Sequence, residues 1–586
     1  MITICKFLSQ AETIAIGALL LAFSGPVFAA ESADRKPNVI IILTDDQGWG
    51  DISSHGNENI ETPVMDRIAA EGARFDRFYV SPVCSPTRAS LLTGRYHNRM
   101  GVSGTSAGLE TMALDEVTIA EVFKDGGYAT GCFGKWHNGA HYPYHPNGRG
   151  FDEFFGFCLG HWNNYFDTTV EHNGKAVKTK GYINDVFTDA ALDWIDDVHE
   201  KPFLCYIPYN TPHTPFQVPD KYFDKYKARG LDDALASAYG MCENLDDNIG
   251  RILDRLDKHN IADDTIVIFL GDNGPNGDRY NGGMRGRKGS VHEGGVRNAF
   301  LMRYPAKIKP GTHIETITAH IDVLPTLAEL AGLDTSKTLP LDGISFVPLL
   351  EGKTMGWPDR LIFSEWRGKG SARSQQYRMA VEGGKPQLYD MIADPGEKND
   401  IAKKKPQITN QLKKAYDEWD ASFSHVSTVP PPIPIGHDEM KTVILTCSEG
   451  IWEGELDWGG KHPNNNWATN WMSTDCVVSW EVDIVTAGKY SVALEYICPE
   501  TDLGSTVYVE VAGKRVEGRI DRAHEPNYLP SPDRVPRKEV YERTWGHKEL
   551  GSFELPKGRS RMTVKATTKS GKAVMDLKSV QITRVD

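Results

Sequence analysis

Five short stretches of this sequence carry side chains whose types and spacing could do chemistry. The first is Cys84-Ser85-Pro86-Thr87-Arg88, continued by Ala89-Ser90-Leu91-Leu92-Thr93-Gly94-Arg95. With no second cysteine at metal-ligand or redox spacing, Cys84 alone reads as a small buried hydrophobe. Its neighbours suggest more. Pro86 stiffens the chain, Ala89 to Leu92 continue as a helix, and a cysteine at that helix N-terminus beside Arg88 lies where a developing anion is stabilised.

Two acidic stretches come next. Thr44-Asp45-Asp46-Gln47-Gly48 closes the apolar run Val39 to Leu43, and Gly271-Asp272-Asn273-Gly274-Pro275 closes a second, Thr265 to Leu270. Adjacent carboxylates at the end of a buried strand repel unless a cation sits between them; the alternative is a solvated turn. Asp45, Asp46, Asp272 and Asn273 form an all-oxygen set, which suits Ca²⁺ or Mg²⁺ rather than zinc. The last two stretches are Gly134-Lys135-Trp136-His137 and the proline-bracketed Thr211-Pro212-His213-Thr214-Pro215. If the former is extended, Lys135 and His137 point the same way and can address one group.

Cys-x-Pro-x-Arg followed by Leu-Leu-Thr-Gly-Arg resembles the active-site segment of the formylglycine-dependent (type I) sulfatases of the alkaline phosphatase superfamily. Gly134-Lys135-Trp136-His137 resembles that family's second signature, and the resemblance runs from about Lys36 to Ser424. It implies that Cys84 is oxidised by a formylglycine-generating enzyme, and that Asp45, Asp46, Asp272, Asn273 and the modified residue 84 hold one divalent cation, Ca²⁺ with Mg²⁺ as the alternative. It also implies roles: Arg88 holds the formylglycine hydrate, Asp272 takes its proton, and Lys135 and Lys288 neutralise sulfuryl oxygens. His213 protonates the leaving alcohol, and His137 deprotonates the remaining hydroxyl to regenerate the aldehyde. Arg297 is read as a brace for Glu293.

The elements that must position these groups follow from pattern. Runs that are apolar on both faces, at Val39 to Leu43, Tyr128 to Gly134, Pro202 to Ile207 and Thr265 to Leu270, are buried strands of an α/β sheet whose C-terminal ends carry the ligands. Leu324 to Ala331 is an amphipathic helix stopped by Gly332. Residues 426–440 include Val429-Pro430-Pro431-Pro432 and read as a proline-rich linker; beyond it the period becomes two, as in a β-sandwich. At 586 residues the chain exceeds one domain. The expected order is a signal peptide (1–29), a sulfatase α/β domain (36–333), a smaller α+β subdomain with an antiparallel sheet (334–425), the linker (426–440) and a β-sandwich accessory domain (441–586). The family resemblance makes the first sheet large, mixed and flanked by helices.

The apolar run Thr13 to Phe23, followed by Val27-Phe28-Ala29, fits a secretory signal cleaved after Ala29 and a periplasmic or secreted protein, with an uncleaved anchor as the alternative because Lys6 alone makes the basic region; no later stretch is apolar enough to span a membrane. The nine scattered cysteines do not read as a disulfide framework, which leaves room for one or two bridges, and a formal net charge of −14 argues against nucleic acid. The expected activity is hydrolysis of sulfate monoesters on a sulfated polysaccharide or oligosaccharide. The alternatives are a phosphonate or phosphate ester hydrolase using the same site, and a non-catalytic secreted carbohydrate-binding protein. Trp452, Trp458, Trp467 and Trp471 either stack on sugar rings or belong to a core; the loop His161 to Tyr165 and Asp278-Arg279-Tyr280 either line a sugar pocket or are structural.

Overall fold

Alternate residues of Val39 to Leu43 enter two different cores. Val39, Ile41 and Leu43 pack with Leu204, Tyr206, Ile266, Ile268 and Leu270 on one face of a sheet, and Ile40 and Ile42 pack with Phe203, Cys205, Ile207, Val267 and Phe269 on the other. Strands buried on both faces belong inside a helix-covered sheet. The computed structural model, which describes residues 36–586, places Asn38–Thr44 in a ten-stranded mixed sheet. The signal-peptide reading and Cys5 lie outside the described residues.

Five adjacent parallel strands form the sheet centre; four of them carry the site, in the order Thr265–Gly271, Asn38–Thr44, Phe203–Pro208, Ala129–Lys135, and Glu153–Phe157 follows the last. Thr44 is level with Gly271 and Leu43 with Pro208, so all four strands end at one edge. Antiparallel strands extend the sheet at Phe300–Arg303 and at the hairpin Thr169–His172/Lys175–Lys178. Helices Ile183–Val198 and Asp233–Lys258 cover one face, and Cys84–Thr93 and Val323–Ala331 the other. The last ends at Gly332 in the left-handed conformation, the C-terminal stop expected.

A four-stranded antiparallel sheet, Ile362–Trp366 to Lys385–Asp390, packs with helix Pro406–Ala421 around its own core. The C-terminal region is two facing sheets around a fourth core, built on alternating residues such as Val478, Trp480, Val482 and Ile484. The reading of 426–440 as a linker needs correction. Ile433–Ile435 is an edge strand of this sandwich, level with Val482 to Ile484, and Pro434 is tolerated there because an edge strand spares one N–H. Trp467 and Trp471 are buried; Trp452 and Trp458 are half-buried with ring centroids 3.9 Å apart. All eight cysteines among the described residues are free and buried. No helix among them is long and apolar enough to cross a membrane.

Three histidines remote from the strand ends are folded into the protein uncharged. Burial pushes His55 and His97 to about 4 and His320 to about 3, with each Nδ1 hydrogen-bonded to a backbone carbonyl. An unfolded histidine titrates near 6.5, so the unfolded chain takes up protons first as pH falls. The stability these groups contribute is complete above about pH 6.5 and is lost toward pH 4, about 2 kcal/mol per histidine by pH 5. The thermal unfolding midpoint should therefore be lower at pH 5 than at pH 7.5; an unchanged or higher midpoint would contradict this burial.

Candidate active site

The four strand ends converge on one acidic cluster. Asp45 N donates to Thr211 O at 3.0 Å and Asp272 N donates to Thr44 O at 3.0 Å, which locks the three neighbouring strand ends together. Asp46 adopts a left-handed backbone, φ 65°, a conformation of modest cost that aspartate tolerates better than most residues. Its N–H donates to Asp272 Oδ1 at 3.0 Å, and the Arg279 guanidinium donates to its carbonyl oxygen. Asp45, Asp46, Asp272 and Asn273 are all buried.

Helix Cys84–Thr93 begins at the predicted cysteine, with Val83 as its cap. One turn separates Cys84 from Arg88, so both face the cluster. The Cys84 thiol and carboxylate oxygens of Asp45 and Asp272 lie within 4.8 Å of one another. Arg88 Nη2 pairs with Asp272 Oδ2 at 3.0 Å and stands 3.7 Å from Asp45 Oδ2, while Nη1 donates to Lys135 O at 2.6 Å. Lys135 Nζ pairs with Asp45 Oδ2 at 2.5 Å, and Lys288 Nζ with Asp46 Oδ1 at 2.6 Å. Each carboxylate thus has its own cation.

The charges respond accordingly. Burial alone would raise Asp45, but Lys135, His213 and Arg88 outweigh it and hold the carboxyl far below its usual range. Burial likewise opposes ionisation of Asp46, and Lys288 and His213 overcome it. Asp272 goes the other way: burial and the Asp45 charge push it up to about 7 against Arg88. Burial raises the Cys84 thiol despite Lys135 and Lys288, so the helix N-terminus does not deliver the stabilised thiolate that its position suggested.

Both predicted histidines are here. His213 Nδ1 hydrogen-bonds Thr214 O at 2.7 Å, and its Nε2 stands 3.7 Å from Asp46 Oδ2. His137 Nε2 hydrogen-bonds Thr105 O at 2.9 Å, leaving Nδ1 buried without a partner. The extended geometry assumed for Lys135 and His137 is corrected: the strand ends at Lys135 and His137 is left-handed, φ 66°, so the period-two argument does not reach it. Gly160 makes room for this ring, since a Cβ there would stand 2.3 Å from His137 Nε2.

In the charge run after Asn273 only Lys288 reaches the acids. Arg287 pairs with exposed Asp278 at 2.6 Å, Arg285 donates to Tyr389 Oη, and Arg297 stands 3.7 Å from Glu293, the brace expected. Arg279 is a structural tie, its side chain buried and paired with Asp51 Oδ2 at 2.8 Å, at the edge of a cleft that it lines together with Asp278. Tyr165 likewise holds the His213 loop, donating to Thr214 O at 2.8 Å. Two groups escaped sequence reasoning as individual candidates. His161 lies with its ring centroid 5.6 Å from His213 and both nitrogens unpartnered, and the Asn210 amide is buried with neither atom bonded. Asn210 follows the strand Phe203–Pro208 as Asp46 follows its own, and that strand-end rule could have found it.

Three buried acceptor atoms at the cluster, Asp45 Oδ1, Asp46 Oδ2 and Asn273 Oδ1, have no hydrogen-bond partner. Unpartnered buried oxygens and an all-oxygen donor set fit a hard cation.

Known proteins place this architecture. The sulfatase family model matches residues 37–333, and that of the N-sulphoglucosamine sulphohydrolase C-terminal region matches residues 287–421. The chain belongs to the sulfatase family, the sulfuric ester hydrolases of the alkaline phosphatase superfamily. Among relatives, it is 32% identical over 384 residues to the N-acetylgalactosamine-6-sulfatase of Mus musculus, covering 59% of this chain and 72% of the relative. It is 30% identical over 410 residues to the sulfatase YdeN of Escherichia coli K12, with the same coverage of 59% and 72%. Among solved structures, Ps i-CgsB in complex with k-i-k-neocarrahexaose superposes with a TM-score of 0.64 at 30% identity, covering 68% of this chain and 95% of that one.

Two arginines of one loop allow a direct comparison. Arg279→Met leaves the Asp51 carboxylate buried and unpaired, and should destabilise the protein by about 3–5 kcal/mol. Arg287→Met breaks only an exposed pair, and should cost about 0–1 kcal/mol. Thermal unfolding of both variants checks this; equal midpoints would contradict the buried tie.

Proposed function

We propose that this sulfatase removes sulfate from a sulfated polysaccharide or oligosaccharide, using a formylglycine made from Cys84 and one hard divalent cation, Ca²⁺ or Mg²⁺. The observation that carries the reading is the meeting of Cys84 with three cations and three unpartnered oxygens at the strand ends. When present, the hydrated aldehyde would supply an oxygen nucleophile, and the cation, held by Asp45, Asp46, Asp272 and Asn273, would neutralise charge on the sulfuryl oxygens.

The chain's own residues divide the remaining work. Lys135 and Lys288 flank the cluster as fixed cations for an anionic group. Arg88 holds Asp272 and the end of the Lys135 strand in place, and one turn after residue 84 it is positioned to hold the formylglycine hydrate. Asp272, held by Arg88 beside residue 84, is placed to accept the proton of the hydrate. With Nε2 committed as donor to Thr105 O, the His137 Nδ1 carries the lone pair and accepts a proton. His213, with Nδ1 donating to Thr214 O, directs Nε2 to the cluster for proton donation to the leaving oxygen. Burial and Lys288 lower His213 while Asp46 and Asp45 oppose them, and an anionic ester beside it adds to the side favouring imidazolium.

A carbohydrate substrate is supported by the company the chain keeps: one similar enzyme is named for N-acetylgalactosamine 6-sulfate and one similar structure holds a neocarrahexaose. Cys84 is 3% exposed in the fold, so a maturing enzyme would have to reach it before the segment packs. Sulfate release from a panel of sulfated galactose and N-acetylgalactosamine oligosaccharides tests the substrate class; turnover of phosphate or phosphonate esters alone would overturn it. Cys84→Ala should abolish turnover, and intact mass of the active protein should fall below that of the thiol form. Full activity in the variant would remove the nucleophile from the account.

Adding Ca²⁺ to metal-stripped protein should raise the thermal midpoint, by about 2.7 kcal/mol of stabilisation at a hundredfold excess over Kd. Asp46→Ala should remove the shift; retention of the full shift would place the cation elsewhere.

A further inference from the structure

The two histidines of the site share a construction. Each gives one ring nitrogen to a backbone carbonyl, His137 to Thr105 O at 2.9 Å and His213 to Thr214 O at 2.7 Å. Both carbonyl-bearing residues are in turn held by side chains of the C-terminal sandwich. Asn464 Nδ2 donates to the same Thr105 O at 3.2 Å, and Glu539 Oε1 accepts from Thr214 Oγ1 at 2.9 Å. The family matches end at residue 421, so neither side chain belongs to the shared sulfatase region.

The loops that supply them are one unit. Lys461 N donates to Lys538 O at 3.2 Å, joining the loop around Asn464 to the loop around Glu539. That unit is fastened to the sulfatase core on both sides of His213. Asn163 Nδ2 donates to Asn465 O at 3.0 Å and to Glu542 at 2.8 Å; Gln217 Nε2 donates to Asp533 at 2.7 Å, and Arg534 N to Phe216 O at 2.9 Å. A module joined by a free tether would not need such bonds next to two site histidines.

We propose that Asn464 and Glu539 are positioning residues for His137 and His213, so that the β-sandwich is a wall of the active site. Asn464 fixes the carbonyl that orients the His137 ring, and Glu539 fixes the threonine whose carbonyl orients the His213 ring. The inference rests on the reading of these histidines as proton-transfer groups in sulfate ester hydrolysis.

The test compares kcat and KM for Asn464→Ala, Glu539→Ala, Glu539→Gln, Thr214→Val and the double variant Thr214→Val/Glu539→Ala. The substrate is the oligosaccharide of the above panel that the wild type hydrolyses fastest. Each alanine variant should lower kcat on the order of 10-fold, since small misplacements of reacting groups carry large rate penalties, with KM changed by less than about 3-fold. Glu539→Gln should recover most of the loss because its amide oxygen still accepts from Thr214. The double variant should be no slower than the slower single, as two cuts of one bond do not add. Alanine variants with wild-type kcat, effects confined to KM, or a glutamine variant as slow as alanine would overturn the proposal. If Glu539→Ala unfolds, Thr214→Val cuts the same bond from the other side and decides. A wild type that releases no sulfate overturns the functional reading and this inference together, whereas an active wild type with indifferent variants overturns the inference alone.

Discussion

The structure depends on keeping three carboxylates ionised in one buried place. Asp45, Asp46 and Asp272 stand where four parallel strands end, and water cannot separate their charges. Coulomb repulsion at such spacing, in a medium less polar than water, amounts to several kcal/mol per pair, enough to protonate or unfold an unassisted cluster. Arg88, Lys135 and Lys288 arrive from three different elements to offset it. Asp272 alone is left displaced upward, which marks where the compensation stops short. A doubly charged cation among the unpartnered oxygens would close that gap, which would tie metal binding and the strand register to one electrostatic requirement.

The parts legible in the sequence are those decided locally. Val39 to Leu43 and Thr265 to Leu270 could be placed because both faces of each run are apolar and each stops at a cluster of polar residues, which leaves a central parallel strand as the consistent reading. Cys84 could be placed at a helix start from the residues that follow it. Less legible was anything set by backbone conformation or by partners distant in sequence. Nothing in Lys135-Trp136-His137 announces a left-handed histidine, which exists because Gly160 and Thr105 receive the ring. Arg279 and Arg287 look alike in one basic stretch, yet one is buried against Asp51 and the other stands in solvent beside Asp278.

The proline-rich stretch illustrates the same limit. Prolines and a change of period suggest a tether between modules, and composition alone supports that reading. What composition cannot report is that Ile433 to Ile435 completes a sheet edge and that loops 325 and 359 residues further along the chain bond the residues that hold the histidines. Contacts of this range are specified by complementary surfaces, and no local pattern encodes them.

The overall charge poses a last question, since a chain of formal net charge −14 takes an anionic substrate. Its long-range field works against capture, but salt screens exposed charges beyond about 8–10 Å. The three cations at the strand ends are buried or nearly so and act at contact distance, where screening is weak and the local dielectric low. Affinity for the sulfate group therefore depends on the cluster and not on net charge, and a substrate must be brought within a few ångströms before attraction is felt. Walls that hold the rest of a sulfate ester at that distance would contribute to capture as well as to orientation. The loops that carry Asn464 and Glu539 hold the residues that orient the two histidines, and so stand where such a wall could form.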